Sequence, residues 1–354
     1  MKRNTSKANV LFCGLMRKPE MFKKSIQDLS LMRKDGLINQ IIFSTWTGEL
    51  EKSPEIESFL KENKVKIIKT EEPKDRGYGN IWCQMKALEV GLSEIEENEF
   101  VLKTRSDVYI HPDFLKKIFS SSQLFKITKN LPKGNIFQNK VWVHWFELTR
   151  PFYMADECFY GTRYDLKKLI NYNTRYDIEF NIGPGISHIR RFIHPFLNDY
   201  PILTSSLGKY SQGSNIKTLA LKFSKKYFDL RKIPFFRKFN EKKRFNLLKR
   251  RLEDEEFLDC LASYYSILYS HFYIDGDSFP NQVTFSEFSF PATELDLENI
   301  ENNFTKEKAR LSYGGQIHVY NLKLINNLFD SKVAQTPLSQ RLKQAIDKFN
   351  NKKI

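Results

Sequence analysis

Between Asn9 and Ile110, short apolar runs alternate with segments whose apolar residues recur at helical spacing. That alternation limits the fold more than any other feature of the chain. Residues 9–14 (NVLFCG), 40–44 (QIIFS) and 64–69 (KVKIIK) read as strands, and 100–111 (FVLKTRSDVYIH) opens with another. Runs this short, ended by glycine, serine or charge, have the length of buried strands rather than helices. Met21, Phe22, Ile26 and Leu29 trace one helical face behind Pro19, which suits a first helical position. Helices are likewise expected from Ser53-Pro54 through Leu60 and from Asn80 to about Leu92. The β-α-β-α-β-α-β series predicts an α/β fold, a mostly parallel sheet with helices on both faces.

In open parallel sheets, ligands bind just outside the carboxyl ends of the strands. Three such ends, at Gly14, Thr45-Trp46 and Arg105-Ser106-Asp107, would share one rim with the helix start at Asn80. A helix amino-terminus offers unpaired N–H groups to phosphate. Lys103 and Arg105 are cations to meet a diphosphate, and Asp107 is a carboxylate able to hold a divalent metal. Ser106 and Asp107 equally suit a turn that closes a strand. Asn80 and Gln84, four apart, can reach a base or ribose from one helix face, although an N-cap asparagine and a solvated glutamine fit the same spacing. Neither GxGxxG nor GxxxxGK[ST] occurs.

Composition adds compartment and charge. With 41% hydrophobic residues the 354-residue chain can bury a sizeable core. Its first apolar run (Val10 to Met16) is too short for a signal-peptide core, and none approaches the ~18 residues of a membrane helix. Cys13, Cys83, Cys158 and Cys260 are scattered among apolar neighbours, as expected of free thiols in a reducing cytosol. The net charge of +15 is local: residues 209–251 hold fifteen Lys or Arg against two acids, thirteen of the fifteen excess charges. Within 217–251, Leu219, Leu221, Phe223, Tyr227 and Phe228 interleave with lysines, Pro234 interrupts, and Phe235, Phe236, Phe239 and Phe245 follow. Such a mixture reads as an interfacial segment drawn to an anionic membrane surface. The same composition can bind nucleic acid, the less favoured partner.

Phe-Cys-Gly14, Ser44-Thr-Trp46 with Gly48-Glu49, Asn80-x-x-x-Gln84 leading to Gly91-Leu92, and Leu102-Lys-x-Arg-Ser-Asp107 stand in the order and spacing of the WavE family. The chain resembles that family over roughly residues 9–203. Its members are bacterial proteins of lipopolysaccharide and surface-polysaccharide synthesis that look like glycosyltransferases of the A-type nucleotide-diphospho-sugar fold, a Rossmann-like sheet. The resemblance implies a nucleotide-sugar donor held by Gly14, Thr45, Trp46, Arg76, Asn80, Gln84 and Lys103, with Arg105 and Asp107 facing the diphosphate. A-type enzymes usually carry Asp-x-Asp at this strand end. Here Arg105 takes the first position, so the diphosphate charge is met either by a Mn or Mg ion on Asp107 or by the guanidinium.

Asp156 and Glu157 lie in an otherwise aromatic and apolar run, residues 151–161 (PFYMADECFYG). Burial there would raise a carboxylate pKa, which suits a general base for an acceptor hydroxyl. The family shows a comparable Asp before Phe-x-Gly, which makes Asp156 the expected base and Glu157 the second candidate. A loop capping a helix at Tyr164 is the plainer reading. Residues 181–205 also resemble a family stretch, and His188, Arg190 and Arg191 are candidates there for donor or acceptor contact. Residues 253–270 read as a helix with acids in its first turns and 315–321 (GQIHVYN) as a late strand; if a metal is bound, its His318 is the late-chain ligand that the A-type resemblance implies beside Asp107, and a half-buried strand histidine is the commoner reading. The expected organisation is a core over 1–205, a basic aromatic segment over 206–252 and a helical C-terminal module over 253–354, with the late strand completing the core. The expected activity is sugar transfer to a glycan or lipid-linked glycan acceptor of lipopolysaccharide core, O-antigen or capsule. It would take place in the cytoplasm, with the protein peripheral on the inner membrane face. A non-catalytic basic protein on a degenerate sheet is the alternative.

Overall fold

The computed structural model describes residues 7–77, 80–120, 125–127, 136–143, 154, 156–172, 191–198, 267, 271–273 and 283–285. The chain divides into two units, the first comprising residues 1–146, 154–173 and 270–317 and the second the remainder. The strands and helices that build the sheet lie in the first unit; in the second, residues 191–193 are helical and run into a short 3-10 turn, His194–Phe196.

The opening alternation folds as its periodicity predicts. β1 (Ala8–Cys13), α1 (Pro19–Lys34), β2 (Ile38–Trp46), α2 (Pro54–Glu62), β3 (Lys66–Thr70), α3 (Ile81–Leu92) and β4 (Phe100–Thr104) follow in turn. The chain continues through β5 (Val108–Ile110), α4 (Pro112–Phe119), β6 (Val141–Val143), β7 (Phe159–Thr162), α5 (Arg163–Lys167), β8 (Phe272–Tyr273) and β9 (Val283–Phe285). The seven-stranded sheet has the order β3-β2-β1-β4-β7-β6-β8. Its first four strands are parallel, β7 runs antiparallel to both β4 and β6, and β8 joins β6 in parallel. β5 and β9 form a separate antiparallel pair. The run holding Asp156 and Glu157, read from sequence as a loop before a helix, passes directly into β7, and α5 follows with Thr162 as its cap.

Strand alternation sends successive side chains to opposite faces, and the two long helices divide them. α1 covers the face of Phe12 and Phe43: Phe22 meets their rings at 4.9 and 5.0 Å between centroids. Each such pair adds about 0.5–1.5 kcal/mol beyond the area it buries. α3 covers the opposite face, where Gly91 lies against Leu11. Helices on both sides leave β1 without exposed residues, so its whole run is apolar except for Asn9. Asn9 sits at the amino end, where its amide donates to Glu99 and to the Phe100 carbonyl. The carboxyl ends of β1, β2 and β4 are therefore the edge where charged residues collect.

Candidate functional site

Register places the three strand ends side by side. Cys13 pairs with Ser44 and Phe12 with Thr104, so Gly14 and Arg105 each follow the last paired residue of neighbouring strands. Gly14 has φ 98 and donates its N–H to the Ser44 carbonyl at 2.9 Å. A Cβ there would meet nothing within 4 Å, so backbone conformation rather than space calls for glycine. β2 runs two residues further than the sequence reading has it, and Thr45 and Trp46 are its last, buried residues, paired with Lys69 and Thr70.

At the end of β4 a tight turn (Val108 N–H to the Arg105 carbonyl, 3.2 Å) folds Arg105 back onto Asp107. Arg105 Nε donates to Asp107 Oδ1 at 2.7 Å and Nη2 donates to Oδ2, a bidentate pair. Arg17 Nη1 reaches the same Oδ2 at 3.3 Å. Ser106 ties this turn to the loop after β1: its hydroxyl donates to the Leu15 carbonyl at 2.7 Å and accepts from the Arg17 N–H at 3.0 Å. Burial would raise the Asp107 carboxyl, but the hydrogen bond and charge of Arg105, joined by the charge of Arg17, outweigh it and hold the group below its ordinary value. Burial likewise works against charge on Arg105, and Asp107, Glu157 and Asp156 together keep its pKa raised.

Those last two acids arrive through β7, Asp156 lying 53 residues beyond Lys103. Antiparallel pairing of Lys103 with Phe159 sets residues 156–157 beside the carboxyl end of β4. The buried Lys103 ammonium donates to the Asp156 carbonyl and, at 3.3 Å, to the Glu157 carbonyl. It also lies 5.0 Å from the Phe159 ring centroid. Lys103, expected at the nucleotide, thus holds the acidic segment in place. Asp156 is buried and Glu157 half-buried, and the charges of both act on Arg105.

The other expected residues take separate positions. Asn80 is the exposed residue before α3, with φ 60 and its N–H on the Gly77 carbonyl at 3.2 Å; Gln84 lies one turn on, half-buried. Arg76 is exposed and paired with Glu72 at 2.9 Å. Arg191, in the second unit, is buried. His188, Arg190, His318, Cys260, the basic stretch 217–251 and the late strand at 315–321 lie outside the described residues. Cys13, Cys83 and Cys158 are buried free thiols, and burial pushes Cys83 up to about 11. Sequence reasoning missed Arg17. Its only local signal was a cation in the loop between the glycine after β1 and the proline that starts α1. Among the described residues no three His, Cys, Asp or Glu side chains group as metal ligands, and no helix is long and apolar enough to cross a membrane.

No protein-family model matches the chain, and no curated protein sequence does. Among solved structures, HddC from Yersinia pseudotuberculosis aligns with 46% of this chain and 78% of its own at 15% identity, with a TM-score of 0.28. A likeness of that size carries no conclusion about fold or activity.

Proposed function

We propose that the chain is a nucleotide-sugar-dependent glycosyltransferase of the A-type fold. The observation that carries this reading is the meeting of two segments at one sheet edge. The Arg105–Asp107 turn of β4 and the Asp156–Glu157 segment leading into β7 are joined there by Lys103. The sheet order supports it, with four parallel strands ending at that edge and an antiparallel strand bringing in the acids. Transfer needs both parts. Positive charge must stabilise the departing nucleoside diphosphate, and a base must take the proton of the acceptor hydroxyl.

In this reading the acceptor oxygen attacks the anomeric carbon as the bond to the diphosphate oxygen breaks, the hydroxyl proton passes to Asp156, and the configuration inverts. Glu157, more open to solvent, is the second candidate for the base. Gly14, Asn80, Gln84 and Arg76 would surround the nucleoside. The acceptor would be a glycan, free or lipid-linked, of a bacterial surface polymer, and the basic aromatic stretch would keep the enzyme on an anionic membrane face.

A thermal-shift panel of nucleotide-sugars tests the donor, and transfer assays on Asp156→Asn test the base. One nucleotide-sugar should raise Tm for both proteins, with turnover lower by about 10²–10⁴ in the variant. Silence across the panel together with salt-sensitive DNA binding would favour a non-catalytic basic protein instead.

A further inference from the structure

We propose that Arg17 and Arg105 form an ion-free clasp for the donor diphosphate, with Asp107 as the anion that positions both guanidiniums rather than as a metal ligand. The inference rests on the nucleotide-sugar reading above and states how that site meets phosphate charge.

Both oxygens of Asp107 already accept charge-assisted hydrogen bonds, Oδ1 from Arg105 and Oδ2 from Arg105 and Arg17. A divalent ion on the same oxygens would sit a few ångströms from two guanidiniums, and like charges at that distance repel strongly in a partly buried site. Among the described residues no three metal-binding side chains group together. Exposure rises outward through the cluster. The Asp107 side chain is 1% exposed, Arg105 18% and Arg17 41%, so the carboxylate lies beneath and the cations meet solvent. Planar guanidiniums match phosphate oxygens in forked geometry, which lysine cannot reproduce.

Arg17 is also built into place. Its backbone N–H is fixed by Ser106, and Ser106 is in turn bonded to the Leu15 carbonyl. These bonds tie the loop after β1 to the turn after β4, and both guanidiniums share a common anchor in Asp107.

Calorimetric titration of the full chain with UDP, GDP and CDP, in EDTA and in Mn²⁺, decides the matter. The clasp predicts that one diphosphate binds in EDTA with a Kd that Mn²⁺ leaves unchanged. Arg17→Ala should weaken it by about tenfold or more, and Arg17→Lys should recover only part of the loss. Asp107→Asn should still bind in EDTA; at a metal site the same substitution would abolish the binding seen in Mn²⁺. If that buried substitution prevents folding, the half-exposed Arg17 variants decide alone. Binding that requires Mn²⁺ and ignores Arg17→Ala would overturn the clasp while sparing the nucleotide-sugar reading. No binding under either condition would overturn both.

Discussion

Gly91 faces Leu11 across the α3–sheet interface so closely that an added Cβ would lie 2.7 Å from Leu11 Cδ2 and closer still to Cδ1. Leu11 is fully buried and cannot swing aside. Gly91→Ala should therefore destabilise by about 1–3 kcal/mol through overpacking, despite the roughly 1 kcal/mol that alanine gains in a helix interior. A urea melt checks this; an unchanged midpoint would mean that α3 shifts freely. His271 predicts a pH effect. Its Nε2 accepts the Ile136 N–H at 3.1 Å, and burial, aided by the charges of Lys140 and Lys168, pushes it down to about 4. The unfolded chain, with the histidine near 6.5, binds the proton more readily, so folding stability falls as pH drops from 6.5 toward 4. The loss should approach about 3 kcal/mol by the lower end. Stability curves for wild type and His271→Leu should differ in slope across that window and run parallel above it. Asp107 acts further down: its depressed carboxyl adds stability above 3.8 that is lost as pH falls through its folded value.

At the scale of elements, β4 and β7 matter most, because their pairing assembles the site. Lys103 is the joint, a buried cation spent on two carbonyls of the incoming segment. Lys103→Met keeps the volume but removes both bonds, so it should cost about 2–3 kcal/mol and loosen residues 156–157. In a working transferase, turnover should fall more than donor affinity does. An equal effect on both would argue against a separate acidic segment. The elements of the first hundred residues were legible because their signal is local: period 3.6 under α1 and α2, apolar runs under β1 and β2. β8 and β9 were not legible. At two and three residues they are too short for periodicity to register, and only pairing with β6 and β5 makes them strands. The reach of β2 to Trp46 was hidden for a similar reason: Thr45 and Trp46 pair with β3, although their chemistry suggested a ligand-facing end.

For the whole molecule, the charge distribution makes the broadest prediction. Thirteen excess positive charges within residues 209–251, interleaved with phenylalanine, should bind the chain to phosphatidylglycerol vesicles at low salt. Binding should fall as salt shortens the screening length, and neutral vesicles should bind far less. Co-sedimentation measures both. Equal retention on the two vesicle types would remove the electrostatic attachment from the proposal.

Sequence alone determined the layered α/β architecture, the parallel order implied by its alternation, and the rim where charge collects. Each depends on residues near one another in the chain, whose spacing fixes which side chains can be buried. Only tertiary structure decided what the charges do there. Nothing local distinguishes a Lys103 that joins two segments from a Lys103 that meets phosphate; the antiparallel return of β7 settles its partners. Nor does anything local tie Arg17 to Asp107, 90 residues apart. Side-by-side strand ends bring them together, and a buried carboxylate must take whichever cations the fold places within reach.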